Sequence, residues 1–155
     1  MCIRDRGTVE AFSTDKYQYW PNAERYGFSM IRDFNRGTVG WTDWNLLLDQ
    51  TGGPNHVSNF CFAPIHGDTS TGELIYTPTY YYIGHFSKFV GPDSVRISTS
   101  VSRNVVLATS FLNPDGTMAT IVMNKSNDSI NYSFFLNDRQ VDLTIPPRAM
   151  QTLVY

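Results

Sequence analysis

The stretch from about Asp93 to Tyr155 carries the pattern that most restricts the fold. Short apolar and β-branched runs alternate there with clusters of Pro, Gly, Asn and Asp. Strands that recur every ~8–12 residues, with turn signals between them, are typical of an antiparallel β-sandwich. The candidate strands are Ser94–Ser102, Val105–Leu112, Met118–Asn124, Ile130–Leu136, Gln140–Ile145 and Ala149–Tyr155.

The region before this stretch has a helical periodicity. A first helix is expected to begin at Pro21, since proline at a first helical position lacks an N–H that would have no partner there. Gly37 is the expected C-terminal stop. The apolar residues that share one face at helical spacing are Ala23, Tyr26, Met30, Ile31 and Phe34.

In the next segment, Thr38–Leu48, polar residues do not mark either face of a predicted strand as exposed to solvent. Such a run is typical of a strand buried on both faces, as in a parallel sheet. Asp43 lies in the middle of this run, and a buried carboxylate is costly unless it is paired or hydrogen-bonded. We therefore expect a polar site at the end of this strand.

A long loop is expected over Asp49–Thr77, with its apolar part from Asn59 to Ile65 folded back onto a core. Thr77-Pro78 then predicts the start of a second helix. The predicted buried face of that helix consists of Tyr82, Phe86 and Phe89, and Gly91-Pro92 ends it.

Composition excludes several classes of protein. Hydrophobic residues make up 41% and charged residues 17%, which fits a folded chain rather than a disordered tail. The net charge of −2 offers no basic surface for nucleic acid. No apolar run reaches the ~18 residues of a transmembrane segment, and no signal peptide is visible. Cys2 and Cys61 are too far apart to predict a disulfide framework or a zinc site, and Cys61 is expected to be a buried small hydrophobe.

Three blocks resemble family 30 of the glycoside hydrolases, the glucosylceramidase-like group, in order and in spacing. They are Gly37–Asp49, Gly52–Ile65 and Tyr80–Phe89. The resemblance implies an α/β plus all-β fold, in which the C-terminal part of a (β/α)8 TIM barrel is followed by an antiparallel β-sandwich. The barrel portion would cover residues 7–92 and the sandwich residues 93–155. Residues 1–6 do not fit the rest of the chain and are interpreted as a non-native leader.

The resemblance also implies the chemistry of the parent protein, which is retaining hydrolysis of a β-glycoside by two glutamates. The acid/base would follow the fourth barrel strand, which this chain does not contain. The nucleophile would lie three residues before Val9, where Arg6 stands. Glu10 follows that valine and is interpreted as a loop residue. We therefore expect a fragment that lacks both catalytic carboxylates and is inactive alone.

The same resemblance implies that one wall of the sugar pocket is present. Trp44 is the candidate pocket aromatic, and Asp43 a candidate for orienting its neighbours, with a structural ion pair as the alternative. Asn59 and Phe60 match loop positions at the pocket edge, whereas Trp41 is expected in the core. The three histidines lack metal-binding spacing and are expected to pack or lie in loops. No metal or cofactor is implied.

The implied substrates are β-glucosides, either glucosylceramide-like glycolipids or β-glucan. Alternatives in the same family are a β-1,6-glucanase and a β-xylosidase or xylanase. An alternative of another class is a non-catalytic carbohydrate-binding sandwich, in which Tyr132, Phe134 and Phe135 are the nearest candidates for an aromatic row. The expected partners are the carbohydrate or glycolipid substrate and an N-terminal part of the same protein. The parent is expected to be secreted, periplasmic or lysosome-like.

Overall fold

A computed structural model of the chain describes residues 17–54 and 60–155. The described residues form two compact units. The first takes its described residues from 17–26, 40–54 and 60–82, and the second from 27–39 and 83–155. The elements, in chain order, are α1 (Trp20–Asn35), β1 (Leu47–Asp49), β2 (Ile65–Gly67), β3 (Leu74–Tyr76), α2 (Pro78–Ser87), β4 (Val95–Ile97), β5 (Val106–Leu112), β6 (Met118–Asn124), β7 (Ile130–Leu136), β8 (Arg139–Ile145) and β9 (Met150–Val154).

Helix α1 begins one residue before the expected Pro21. Its predicted apolar face is confirmed, because Ala23, Met30 and Ile31 are buried. The helix ends where Gly37 adopts a φ of 96°. Glycine reaches this left-handed region at little cost, which makes it a common residue just past a helix end.

The expectation of a doubly buried strand over Thr38–Leu48 is wrong. Only Leu47 and Leu48 of this segment enter a strand, and Val39 is 102% exposed. Strand β1 pairs in parallel with β2 alone among the described residues. No strand of the described residues therefore covers the other side of β1 or the apolar run before it.

The expected long loop over Asp49–Thr77 is also only partly correct, because it contains β2 and β3. These strands pair antiparallel and form a three-stranded sheet with β1. The predicted fold-back is confirmed at Ala63 and Pro64, which are buried. The interpretation of Cys61 as a buried small hydrophobe outside any disulfide is wrong, because this residue is half-buried and disulfide-bonded. Cys2 lies outside the described residues.

Helix α2 is confirmed, with Tyr82 and Phe86 buried. The Thr77 hydroxyl does not serve as its cap. It donates instead to the carbonyl oxygen of Pro64 over 2.9 Å and so ties the start of the helix to the fold-back segment. Neither this helix nor the rest of the described chain offers a helical span long and apolar enough to cross a membrane.

The predicted antiparallel sandwich is confirmed. One sheet has the order β4-β5-β6-β9 and the other consists of β7 and β8, and all neighbouring strands are antiparallel. Their facing sides share a core of Val106, Ala108, Val122, Ile130 and Ile145. The expected first strand, Ser94–Ser102, shortens to Val95–Ile97, since β4 finds pairing partners on β5 only over that length.

Candidate functional site

The clearest polar arrangement near the predicted pocket wall joins α1 to the segment before β1. The Tyr26 hydroxyl donates a hydrogen bond to Oδ1 of Asp43 over 3.2 Å. The backbone N–H of Trp44 donates to the same oxygen over 2.9 Å. The Asp43 carboxylate thereby fixes the main chain at the residue whose indole is the candidate sugar-stacking group.

The electrostatics of this pair keep the tyrosine protonated. Burial raises the pKa of Tyr26 well above its ordinary value, and the negative charge of Asp43 and their hydrogen bond raise it further. Tyr26 therefore remains a hydrogen-bond donor at acidic and neutral pH. The carboxylate in turn is held in one orientation.

The two tryptophans of this segment have different environments. Trp41 is half-buried, and its ring meets that of Tyr26 edge to face, with 5.5 Å between centroids and 66° between planes. Trp44 is 70% exposed. An indole that is open to solvent beside a carboxylate combines an apolar face with a hydrogen-bond acceptor, which suits the C–H face and the hydroxyls of a sugar.

The other predicted pocket residues are less closely tied to this arrangement. Phe60 is 48% exposed, and the next residue, Cys61, donates its N–H to the Gly52 carbonyl over 3.0 Å. No hydrogen bond or ring contact joins Phe60 to Asp43 or Trp44 within the described residues. Asn59 lies outside them, as do Arg6 and Glu10.

Two features of this arrangement differ from what the sequence predicts. Asp43 is exposed rather than buried. Within the described residues, its side chain accepts hydrogen bonds from Tyr26 and from the main chain of Trp44. Tyr26 was expected only to pack on one face of α1. Its hydroxyl contact spans 17 residues, and such a separation leaves no local signal in the sequence.

The two described histidines have structural contacts, and His56 lies outside the described residues. His66 is buried between Tyr17 and Phe62, and it accepts a hydrogen bond at Nε2 from the Ala63 N–H over 3.1 Å. His85 pairs at Nδ1 with the Thr152 hydroxyl over 2.8 Å. In the described part of the chain, no three His, Cys, Asp or Glu side chains lie close enough together to hold a metal ion.

The sandwich contains a separate cavity of about 1000 Å³ between its two sheets. Its lining is rich in hydroxyl groups, among them a chain in which Ser110 and Thr120 are 2.7 Å apart and Thr120 and Tyr155 are 2.9 Å apart. Tyr132 and Phe134 line it as half-buried rings. Phe135 also belongs to the lining, but it is 65% exposed and follows Phe134 directly along β7, so their side chains point to opposite faces of the strand and the three aromatics form no single row.

Family models match almost the whole chain. The model of the "glycosyl hydrolase family 30 TIM-barrel domain" matches residues 6–90, and that of the "glycosyl hydrolase family 30 beta sandwich domain" matches residues 93–153.

Curated relatives include animal glucosylceramidases. A putative glucosylceramidase 3 of Caenorhabditis elegans is 37% identical over 139 residues, which cover 88% of this chain and 27% of that protein. The lysosomal acid glucosylceramidase of Mus musculus is 38% identical over 112 residues, or 72% of this chain and 22% of that protein. The chain thus spans about a quarter of the length of these relatives.

Solved structures of related enzymes superpose on the chain. SrfJ from Salmonella typhimurium is 34% identical with a TM-score of 0.88, over 92% of this chain and 32% of that protein. An endo-β1,6-glucanase is 28% identical with a TM-score of 0.73, over 83% of this chain and 30% of that protein. The predicted combination of a C-terminal TIM-barrel part with a β-sandwich is confirmed, and the chain belongs to glycosyl hydrolase family 30.

Proposed function

We propose that this chain is the C-terminal part of a retaining β-glycosidase that acts on β-glucosides, and that it supplies one wall of the sugar pocket. The observation that carries the proposal is the exposed indole of Trp44 beside the Asp43 carboxylate, which Tyr26 holds in place. A pyranose ring would stack its C–H face on the indole. Asp43 would accept a sugar hydroxyl or orient neighbouring side chains.

In this proposal, the acid/base belongs to the part of the protein that precedes the chain, and the nucleophile to the native sequence whose place residues 1–6 take. A retaining mechanism needs them ~5–5.5 Å apart on either side of the glycosidic bond. Arg6 occupies the position where the family's pattern places the nucleophile, and an arginine cannot attack an anomeric carbon. The chain alone would therefore leave a β-glucoside intact.

The choice of a β-glucoside rests on the animal relatives, which are named as glucosylceramidases. The relatives also support a secreted or lysosome-like location for the parent protein. The likeness to an endo-β1,6-glucanase favours a second candidate, a β-1,6-linked glucan, whose extended chain would stack on the same exposed indole. A xylan or β-xyloside is the third candidate within the family.

The test uses residues 7–155 joined to the native upstream part of the gene, which replaces residues 1–6. Hydrolysis of an aryl β-glucoside, an aryl β-xyloside and a β-1,6-glucan would be compared, together with the variant Trp44→Ala. The matched control is Leu46→Ala, which removes a similarly exposed apolar side chain from the same segment. We expect the KM for the glucoside to rise about tenfold in Trp44→Ala, because ~1.4 kcal/mol of lost binding is a factor of ten. An equal effect of both substitutions would contradict the role of Trp44.

The cavity in the sandwich supports the non-catalytic alternative, because hydroxyl groups and half-buried rings suit a glycan. Binding of the whole chain to a glycan array, abolished by Tyr132→Ala and retained by Trp44→Ala, would favour that function. Binding that depends on Trp44 and is indifferent to Tyr132 would favour the barrel pocket instead.

A further inference from the structure

Three separate Asn-X-Ser triplets run from the end of β6 into β7, and they begin at Asn124, Asn127 and Asn131. None has proline in the middle position, so each fits the acceptor pattern for N-linked glycosylation. The pattern by itself does not distinguish them. The structure does, because transfer of a glycan needs an accessible side-chain nitrogen and a bulky glycan needs open space around it.

Asn124 is unsuited to modification. It is 0% exposed, and its Nδ2 donates to the carbonyl oxygens of Asp128 over 2.7 Å and Pro146 over 2.9 Å. Its Oδ1 accepts hydrogen bonds from both the N–H and the hydroxyl of Ser126, over 2.9 and 2.8 Å. A glycan on Nδ2 would replace these buried hydrogen bonds and would have no room.

Asn131 is exposed but lies within a paired strand. It faces Thr144 across the β7–β8 ladder, and the Thr144 hydroxyl donates to its Oδ1 over 2.8 Å. The serine of its triplet, Ser133, donates its hydroxyl to Asp142 over 2.6 Å. A regular strand with an engaged serine cannot bend toward an enzyme without losing cross-strand contacts.

Asn127 differs from Asn124 in its exposure and from Asn131 in lying outside a paired strand. It is exposed in the turn between the two strands, and so is Ser129, the serine of its triplet. Its hydrogen bond within the described residues uses Oδ1, which accepts from Nε of Arg148 over 2.9 Å. The side-chain nitrogen is left for another partner. Because a glycosylated asparagine keeps its carbonyl oxygen, the bond to Arg148 can persist after modification.

We infer that Asn127 is the N-glycan acceptor of the sandwich when the protein passes through a glycosylating secretory compartment. In the transfer, Nδ2 of Asn127 loses one proton and forms a bond to the anomeric carbon of a lipid-pyrophosphate-linked oligosaccharide. The bond from that carbon to the pyrophosphate oxygen breaks, and the lipid pyrophosphate leaves with the electron pair. The glycan then covers the turn without entering either sheet.

The test translates the full 155-residue chain, behind an added secretion signal, in the presence of endoplasmic-reticulum microsomes. Glycosylation is read as a gain in mass that a peptide:N-glycosidase removes, and the site is read by peptide mapping. We expect one glycan, lost in Asn127→Gln and in Ser129→Ala and retained in Asn131→Gln. A glycan on Asn124 or Asn131, or none on the unsubstituted chain, would overturn the inference. Ser129→Ala keeps the test independent of any effect of Asn127→Gln on the Arg148 contact.

Discussion

The Tyr26 hydroxyl and the Asp43 carboxylate are joined by a hydrogen bond of 3.2 Å that links helix α1 to the segment carrying the candidate pocket tryptophan. The same carboxylate oxygen accepts the Trp44 N–H. The Asp43 side chain thus connects helix α1 to the main chain of the exposed Trp44. The stability of this connection can be measured without any substrate.

The substitution Tyr26→Phe removes the hydroxyl and keeps the ring that packs against Trp41. We expect a loss of about 1 kcal/mol in the free energy of unfolding, the usual net value of one hydrogen bond. The measurement is denaturant unfolding of the purified chain. Tyr19→Phe is the control, since Tyr19 is an exposed tyrosine whose removal from water on folding is only partial. A loss of equal size in both variants would contradict the role given to Tyr26.

The same pair has a pH signature. Burial and Asp43 raise the pKa of Tyr26 in the folded chain above the value of about 10 that an unfolded tyrosine has. The contribution of protonated Tyr26 to the stability of the folded chain is therefore complete below about pH 10 and declines as the pH rises above that value. We expect the unfolding free energy of the unsubstituted chain to fall more steeply above that pH than that of Tyr26→Phe. Parallel curves would show that Tyr26 titrates as an ordinary exposed tyrosine.

A second prediction concerns Gly52, near the base of the loop that carries Phe60. Its φ is +89°, and an added Cβ would overlap the carbonyl oxygen of Cys61. Gly72 has a similar φ of +78°, and no atom lies within 4 Å of an added Cβ. The substitution Gly72→Ala would therefore add backbone strain without a steric clash. We expect Gly72→Ala to cost about 1 kcal/mol. Gly52→Ala should cost clearly more, and equal melting temperatures for the two variants would contradict the close approach.

A third prediction concerns His85, which joins α2 to β9 through Thr152. Burial lowers the pKa of His85, so the folded chain favours the neutral imidazole. Its contribution to stability is present above the unfolded pKa of about 6.5 and is lost as the pH falls below it. Thermal unfolding between about pH 7.5 and 5 should show a smaller decline in His85→Gln than in the unsubstituted chain. A decline of the same size would place the titrating group elsewhere.

The sandwich could be predicted from the sequence because its signals are local. Alternation and turn residues placed β6 and β7 at their observed bounds, and β5, β8 and β9 within one residue at each end. The prediction of a buried strand over Thr38–Leu48 was wrong because burial is not a local property. An apolar run becomes a buried strand only if other strands cover it, and that depends on residues far away in the chain.

The candidate site was predictable only in part, and for the same physical reason. Trp44 was predicted through a resemblance that spans contiguous blocks, and Asp43 was predicted from its place in an apolar run as well. The contact of Asp43 with Tyr26 depends on how α1 faces the following segment, which no local pattern encodes. The strands β2 and β3 were missed because three residues are too few to show an alternation.

The most direct test of the proposed function is a comparison of aryl β-glucoside hydrolysis by the 155-residue chain and by residues 7–155 joined to the native upstream gene segment, which replaces residues 1–6. We predict no turnover above the blank for the chain alone and measurable turnover for the joined protein, with the β-glucoside preferred over the β-xyloside. Turnover by the chain alone would contradict the absence of both catalytic glutamates. A joined protein that hydrolyses the β-xyloside and leaves the β-glucoside intact would contradict the assigned substrate.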